Sequence, residues 1–262
     1  MLKTRALTAA VLLALFGSAL FFLPEPGWIA FCAALLAIAV WEWGDLAALT
    51  PTPRSVYTAC LVLLFVSPLG LRAMDPGNLY APVWIYYASG IFWILIVPLW
   101  MWRKRGLGQA ALLAAGIPML VPACAALVDL RSGHPMLLLA VLGTAWISDS
   151  AAYFVGRRFG KRKLAPSISP GKTWEGVAGA LAAVGIYALA WAGLGAAAPA
   201  WILPVLLGLA VLGMIGDLFE SLIKRQAGVK DSGTLLPGHG GILDRIDAPV
   251  AMLPLAVLAF IR

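Results

Sequence analysis

Polar positions are scarce along this chain and unevenly placed. Runs of Leu, Ala, Val, Ile and Trp recur from end to end, each near the roughly 20 residues that an α-helix needs to cross a bilayer. They predict nine spans, at about 5–23, 28–49, 55–71, 82–102, 107–129, 135–155, 174–194, 199–223 and 246–261. The third and ninth are short, and the ninth is compatible with a re-entrant segment. Pro and Gly punctuate the connections, as PEPG at 24–27, TPTP at 50–53, DPGN at 75–78 and SPGK at 169–172. The expected fold class is therefore all-α: a polytopic integral membrane protein of about nine transmembrane helices.

Composition agrees with the pattern. Of 262 residues, 62% are hydrophobic and 12% charged, whereas a soluble domain averages about a quarter charged. A soluble fold of this size has too little interior to hide so much apolar surface. The start, MLKTRALTAAVLLALFGSALFF, has the basic opening and apolar core of a signal peptide. It lacks a small-x-small cleavage site and the next apolar run follows at once, so a retained first helix is expected. Cys32, Cys60 and Cys124 lie in apolar segments without CxxC spacing. They read as small buried hydrophobes, not as a disulfide or zinc framework.

Charge sets an orientation. With a cytoplasmic N-terminus, Lys3, Arg5, Arg54, Arg103, Lys104, Arg105, Arg157, Arg158, Lys161, Arg162, Lys163, Lys172, Lys224, Arg225, Lys230 and Arg245 fall on one side. That is sixteen of nineteen, with Arg72, Arg131 and Arg262 on the other. This asymmetry is the positive-inside pattern and points to a multi-pass protein of the inner (cytoplasmic) cell membrane. It accounts for the net charge of +7 with no nucleic-acid partner, and it leaves an attraction for anionic headgroups. The acids behave differently. Five of twelve lie between Asp217 and Asp247, while Asp149 and Glu175 flank the other large polar loop. Acids contribute little to topology, so this clustering asks for a chemical cause. Both loops open on the same side and can share one site. The chain divides accordingly into N-terminal transmembrane helices, 1–134, and a C-terminal catalytic region, 135–262.

In LDRIDAP, Asp244 and Asp247 sit three apart, and GDLFES places Asp217 and Glu220 at the same spacing. On a helix each pair projects from one face. A carboxylate near the end of a span is costly unless paired or metal-bound, and an oxygen-only donor set suits Mg²⁺ or a similar hard cation. Ion pairing alone, Asp244 with Arg245 or Lys224, is the plainer reading of one such pair. Two acidic pairs, the Lys230-Asp231 step and a His-Gly-Gly turn within about thirty residues favour a site. Lys224, Arg225 and Lys230 alternate with these acids, as a polyphosphate-metal complex requires: cations on phosphate oxygens, carboxylates on the metal. The turn from Pro237 through His239 to Gly240 and Gly241 is permissive backbone that can turn N–H groups toward an anion. His239 could donate to phosphate, carry a proton or serve the turn. His134, in a short outer loop, reads as idle. In the other loop, GKT falls short of a P-loop, whose first glycine would be Pro166. Ser169 is expected as N-cap of the seventh helix and Pro170 as its first residue, with Lys172, Thr173 and Glu175 around an anion-binding first turn.

The run S-L-I-K-R from Ser221, K-D-S-G from Lys230 and P-G-H-G-G-I-L-D-R-I-D ending at Asp247 closely resembles the signature of the phosphatidate cytidylyltransferase (CDP-diacylglycerol synthase) family. D-S-A-A-Y-x-x-G-R-x-F-G-K from Asp149 and S-P-G-K-T-W-E-G from Ser169 resemble it too, so the likeness covers about 149–249. It implies transfer of CMP from CTP to phosphatidate, with Mg²⁺ required, a second monovalent cation such as K⁺ compatible, and a homodimer. It makes Asp217, Asp244 and Asp247 the favoured metal ligands. Lys224, Arg225, Lys230, Asp231, His239 and Arg245 become catalytic candidates. Ser169, Pro170, Lys172, Thr173, Glu175, Gly240 and Gly241 become substrate-binding ones. Two rival readings remain: a cytidylyltransferase for another lipid phosphate, and an ion-coupled transporter using Glu42, Asp45 and Asp149 as a path.

Overall fold

A computed structural model describes residues 2–68, 79–103, 106–194 and 200–261 of the chain. Helices α1 (Leu2–Phe22), α2 (Glu25–Leu46) and α3 (Pro51–Val66) precede α4 (Val83–Arg103), whose middle, Phe92–Ile96, has π-helical bonding. Then come α5 (Gln109–Gly133) and α6 (Pro135–Phe159), a hairpin of β1 (Lys163–Ala165) and β2 (Ser169–Thr173), and α7 (Trp174–Leu194). The chain closes with α8 (Ile202–Gln226), the single turn α9 (Leu243–Ile246) and α10 (Pro249–Phe260). Proline opens α3, α6 and α10, where its missing N–H has no intrahelical partner to lose. His134, expected to be idle, caps α6: its Nδ1 accepts from the Met136 N–H at 3.3 Å.

Each expected span falls on a helix, but the count of crossing length is smaller. Among the described residues six helices are long and apolar enough to cross a membrane: α2, α4, α5, α6, α7 and α8. Thr8–Phe22, Pro51–Val66 and Pro249–Phe260 are apolar but shorter. The turn at 75–78, Arg72, Lys104, Arg105, Arg262 and the side chains of Lys3 and Arg5 lie outside the described residues.

Helix α5 is the axis of the bundle. Its apolar window is 72% buried, more than that of any other crossing helix, and α2, α3, α4, α6 and α10 pack around it. Cys32 and Cys124 are buried as expected, whereas Cys60 sits on the outward side of α3. Phe219 of α8 is fully buried against Trp43 of α2 and Trp93 and Trp100 of α4. That aromatic anchor fixes the rotation of α8, and with it the direction of the helix's polar face.

One departure from the all-α expectation matters for the site. Residues 169–173 form a strand, with Lys163 opposite Thr173 and Ala165 opposite Ser169. Ser169 is pushed to extended backbone by the proline that follows it, so neither Ser169 nor Pro170 starts the helix. Thr173 caps α7 instead, its Oγ1 accepting the Gly176 N–H at 3.1 Å. The strand runs directly into the helix without a glycine loop, in keeping with the rejection of a P-loop. Below the hairpin, α6 and α7 approach closely through small residues. A Cβ on Gly179 would stand 2.5–2.8 Å from Val155 carbons, and one on Gly176 would stand 2.8 Å from the Ala152 carbonyl oxygen. Gly179→Ala is therefore expected to lower stability by about 1–3 kcal/mol through overpacking, read as a lower thermal midpoint in detergent micelles.

Candidate active site

On α8, Asp217, Glu220, Ser221 and Lys224 recur at i, i+3, i+4 and i+7 and share one face. Phe219 holds the opposite side in the core, so this face turns to the end of the bundle that carries the hairpin. Lys172 of β2 reaches it, placing Nζ 2.6 Å from Asp217 Oδ2. Ser221 Oγ donates to Asp217 Oδ1 at a long 3.4 Å. The two polar segments thus meet at one place. The charges of Asp217 and Asp149 both bear on Asp247, and those of Asp217 and Lys172 on Asp149, so three acids from three elements lie within electrostatic reach of one another.

The loop between α8 and α9 is organised by two carboxylates. Asp244 is buried, and all its partners come from the site: Oδ1 takes Lys224 Nζ at 2.5 Å, while Oδ2 takes the Ser232 and Gly241 N–H groups at 2.9 and 2.8 Å and lies 3.1 Å from Ser232 Oγ. Lys224 also contacts Glu220 Oε1 at 3.1 Å. Burial opposes ionisation of Asp244. The Lys224 ammonium, with the Gly241 and Ser232 N–H groups, outweighs it and holds the carboxyl below the usual carboxylate range. The second carboxylate is Glu42, on α2. It accepts Ser232 Oγ and the N–H groups of Ile242 and Leu243, each at 2.9 Å.

The glycines are explained by these acids. Gly240 has φ +77°, and a Cβ on it would strike Asp244 Oδ2; a Cβ on Gly241 would strike Glu42 Oε2 and Ser232 Oγ. The anion toward which this turn points its N–H groups is the protein's own. Gly240 and Gly241 serve the wall of the site through Asp244 and Glu42, and the structure gives them no place in the cavity lining.

That cavity, about 240 Å³, is lined by Ser221, Lys224, Arg225, Lys230, Asp231, Asp244, Arg245 and Asp247. Arg225, Lys230, Asp231 and Arg245 are exposed around it, whereas Asp244 is buried. Seven of these eight are among the residues expected from the sequence, and Ser221 lies inside the motif. Ser169, Pro170, Lys172, Thr173, Glu175, Asp217 and His239 do not line it, Lys172 and Asp217 being paired with each other beside it. Thr173 is a helix cap, and Glu175 receives the Lys161 and Arg162 N–H groups at 3.1–3.2 Å, closing the approach to the hairpin. His239 donates its backbone N–H to Leu236 O at 2.9 Å, and its Nδ1 is buried with no hydrogen-bond partner among the described residues. Glu42 and Ser232 are the residues that motif reading missed as site components. Glu42 sits 190 positions away in the less diagnostic half.

Among the described residues, no three His, Cys, Asp or Glu side chains converge to hold a metal by themselves. The donor chemistry nonetheless fits Mg²⁺, which is commonly held by one or two carboxylates together with substrate phosphates and water. Asp217, Asp247 and the Lys224-facing oxygen of Asp244 are such donors, and mutually repelling acids gain from a cation between them.

Asp244→Asn places an amide donor against either Lys224 or two N–H groups. Breaking this buried pair is expected to cost about 3 kcal/mol at neutral pH. Because the Asp244 pKa is depressed, its contribution is present above the ordinary carboxylate range and is lost as pH falls through the folded value, below 3.8. Thermal unfolding of native and Asp244→Asn protein should therefore differ at pH 7 and converge in acid.

The family model described as the cytidylyltransferase family matches residues 3–261. The phosphatidate cytidylyltransferase of Pseudomonas aeruginosa is 39% identical over 266 residues, covering 97% of this chain and 95% of that protein. That of Haemophilus influenzae is 36% identical (97% and 96%), and that of Thermotoga maritima is 31% identical (99% and 96%). The likeness spans the N-terminal helices as well as the motif region, so Glu42 lies within the matched length. On these grounds the chain belongs to the cytidylyltransferase family.

Proposed function

We propose that this protein transfers the CMP group of CTP to the phosphate of phosphatidate, forming CDP-diacylglycerol and pyrophosphate at a membrane surface. The observation that carries the reading is the cavity itself, in which Lys224, Arg225, Lys230 and Arg245 alternate with Asp231, Asp244 and Asp247 at one end of an apolar bundle. Relatives matched along nearly their whole length bear the name of that activity.

The chemistry suits such a lining. A phosphate oxygen of the lipid attacks the α-phosphorus of CTP; the new P–O bond forms as the bond to the β-phosphate breaks, and pyrophosphate leaves with the electron pair. The nucleophile is already an anion, so no strong general base is needed. The barrier lies in bringing two polyanions together and stabilising charge on the leaving group, which fixed cations do best. Lys224 is held between Glu220 and Asp244 and cannot swing away. Exposed Arg225, Lys230 and Arg245 can receive phosphates arriving from water or from the lipid surface. Mg²⁺, held by Asp217 and Asp247 with Asp244, would neutralise the departing pyrophosphate; a monovalent ion such as K⁺ is compatible with the remaining acids. The basic-residue asymmetry supports an inner-membrane protein with its N-terminus and this site on the cytoplasmic side. The family resemblance is what motivates a homodimer. The acids of the transporter reading are otherwise engaged: Glu42 binds the loop, Asp45 pairs with Arg54, and Asp149 faces the Asp217 and Lys172 charges.

The test is cytidylyl transfer in detergent-lipid micelles with labelled CTP, phosphatidate and Mg²⁺. The native chain is expected to form CDP-diacylglycerol, EDTA to abolish it reversibly, and Asp217→Asn to lower the rate roughly 100-fold or more. Absence of CDP-lipid from folded native protein would overturn the reading. Product only with a different lipid phosphate would replace phosphatidate as the acceptor.

A further inference from the structure

Glu42 is a buried carboxylate with 4% of its surface exposed, in a helix that contributes no residue to the cavity lining. It is nevertheless tied to the catalytic loop at three points, the Ile242 and Leu243 N–H groups and Ser232 Oγ. Ser232 stands between Glu42 and Asp244, with its hydroxyl 2.9 Å from one and 3.1 Å from the other, while its N–H binds Asp244. Leu243 is followed directly by Asp244, Arg245 and, two residues later, Asp247. The amides that Glu42 holds are therefore those that set where these three side chains begin. Around the carboxylate the chain has removed Cβ atoms. The three nearest atoms to a Cβ on Gly233 would all belong to Glu42, at 2.8–3.3 Å, and a Cβ on Gly241 would strike it too.

We propose that Glu42 is a positioning residue for cytidylyl transfer: a strut from the second helix that holds the 232–243 loop, and through it Asp244, Arg245 and Asp247, in register with the acidic face of α8. This deepens the proposed function and rests on it. A buried carboxylate whose acceptor sites are filled by backbone donors of a loop is suited to this task. It satisfies amides that would otherwise be buried unpaired, and it fixes them in one arrangement. It also makes the N-terminal helices part of the catalytic unit, which the motif region alone does not suggest.

Glutamine at this position keeps the size but turns an NH₂ group toward an N–H or a hydroxyl donor. Glu42→Gln is expected to lower kcat roughly 10- to 100-fold with a smaller change in the KM for CTP, because Lys224 and the exposed Arg225 on α8 remain in place. Hydrogen exchange of the amides between Ser232 and Leu243 should accelerate in the same variant. Asp45→Asn, which removes a carboxylate one turn along the same helix but away from the loop, should change neither readout. Gly233→Ala should lower kcat by displacing the carboxylate, and should add nothing further in a Glu42→Ala background, where the methyl enters vacated space. A folded Glu42→Gln protein with native kcat and native amide exchange would overturn the proposal. So would additive losses in the Gly233–Glu42 pair, or failure of all Glu42 and Gly233 variants to fold, which would assign the residue to stability alone. If the native chain makes no CDP-lipid, the proposed function fails, and the exchange measurement still decides whether Glu42 holds the loop.

Discussion

A carboxylate in a chain this apolar must be matched by a donor, and the matching is what assembles the end of the molecule where the chemistry sits. The donors are supplied both from far away in sequence and from the carboxylate's own loop. Asp217 on α8 meets Lys172 on the hairpin, Asp244 meets Lys224 and the backbone of its own loop, and Glu42 on α2 meets the amides at the start of α9. Each match removes a desolvation cost that would otherwise oppose folding. Each also fixes a side chain that polyphosphate chemistry needs. The helices below behave as a scaffold: α5 at the axis, α6 and α7 locked by glycines, and Phe219 setting the rotation of α8.

The arrangement leaves two kinds of cation. Lys224 is held between acids and is part of the wall, whereas Arg225, Lys230 and Arg245 are exposed and uncommitted to a rigid partner among the described contacts. A site that receives one polyanion from water and another from a lipid surface needs both. On the proposed function the fixed charge would stabilise the transition state without reorganising, and the exposed ones would attract and orient. The excess of acids over deep cations is the counterpart, a place where, on the proposed function, a divalent ion bound with substrate would restore balance.

Much of this was legible in the residues. Apolar run length places every helix except the single turn α9, and the alternation of acids, bases and glycines between Lys224 and Asp247 singles out seven of the eight cavity-lining residues. The convergence of the two loops was expected from the distribution of basic residues along the chain. What escaped reading was set by tertiary contact. A lone glutamate in WEWGDL has no local signal distinguishing a strut from a path, since its three partners lie 190 to 201 positions on. The glycines of the turn read as room for a ligand, because spacing cannot say whether the anion they meet is bound or built in. Ser169-Pro170 read as a helix start, although a preceding strand partner at Lys163–Ala165 lets the same residues stay extended until Thr173. Two of the apolar runs, already the short ones in the sequence, became the helices Pro51–Val66 and Pro249–Phe260, shorter than a full crossing among the described residues.

The most direct test of charge matching as the assembling principle is a double-mutant cycle on Lys172 and Asp217, read by thermal unfolding in micelles at low ionic strength. The Lys172→Met, Asp217→Asn and double variants are compared with the native chain. Because the pair is about three-quarters buried on both sides, a coupling of about 1 kcal/mol is expected, the double variant losing less than the sum of the singles. Losses that add to within about 0.5 kcal/mol would contradict the account, because hairpin and α8 would then meet without being held by this pair.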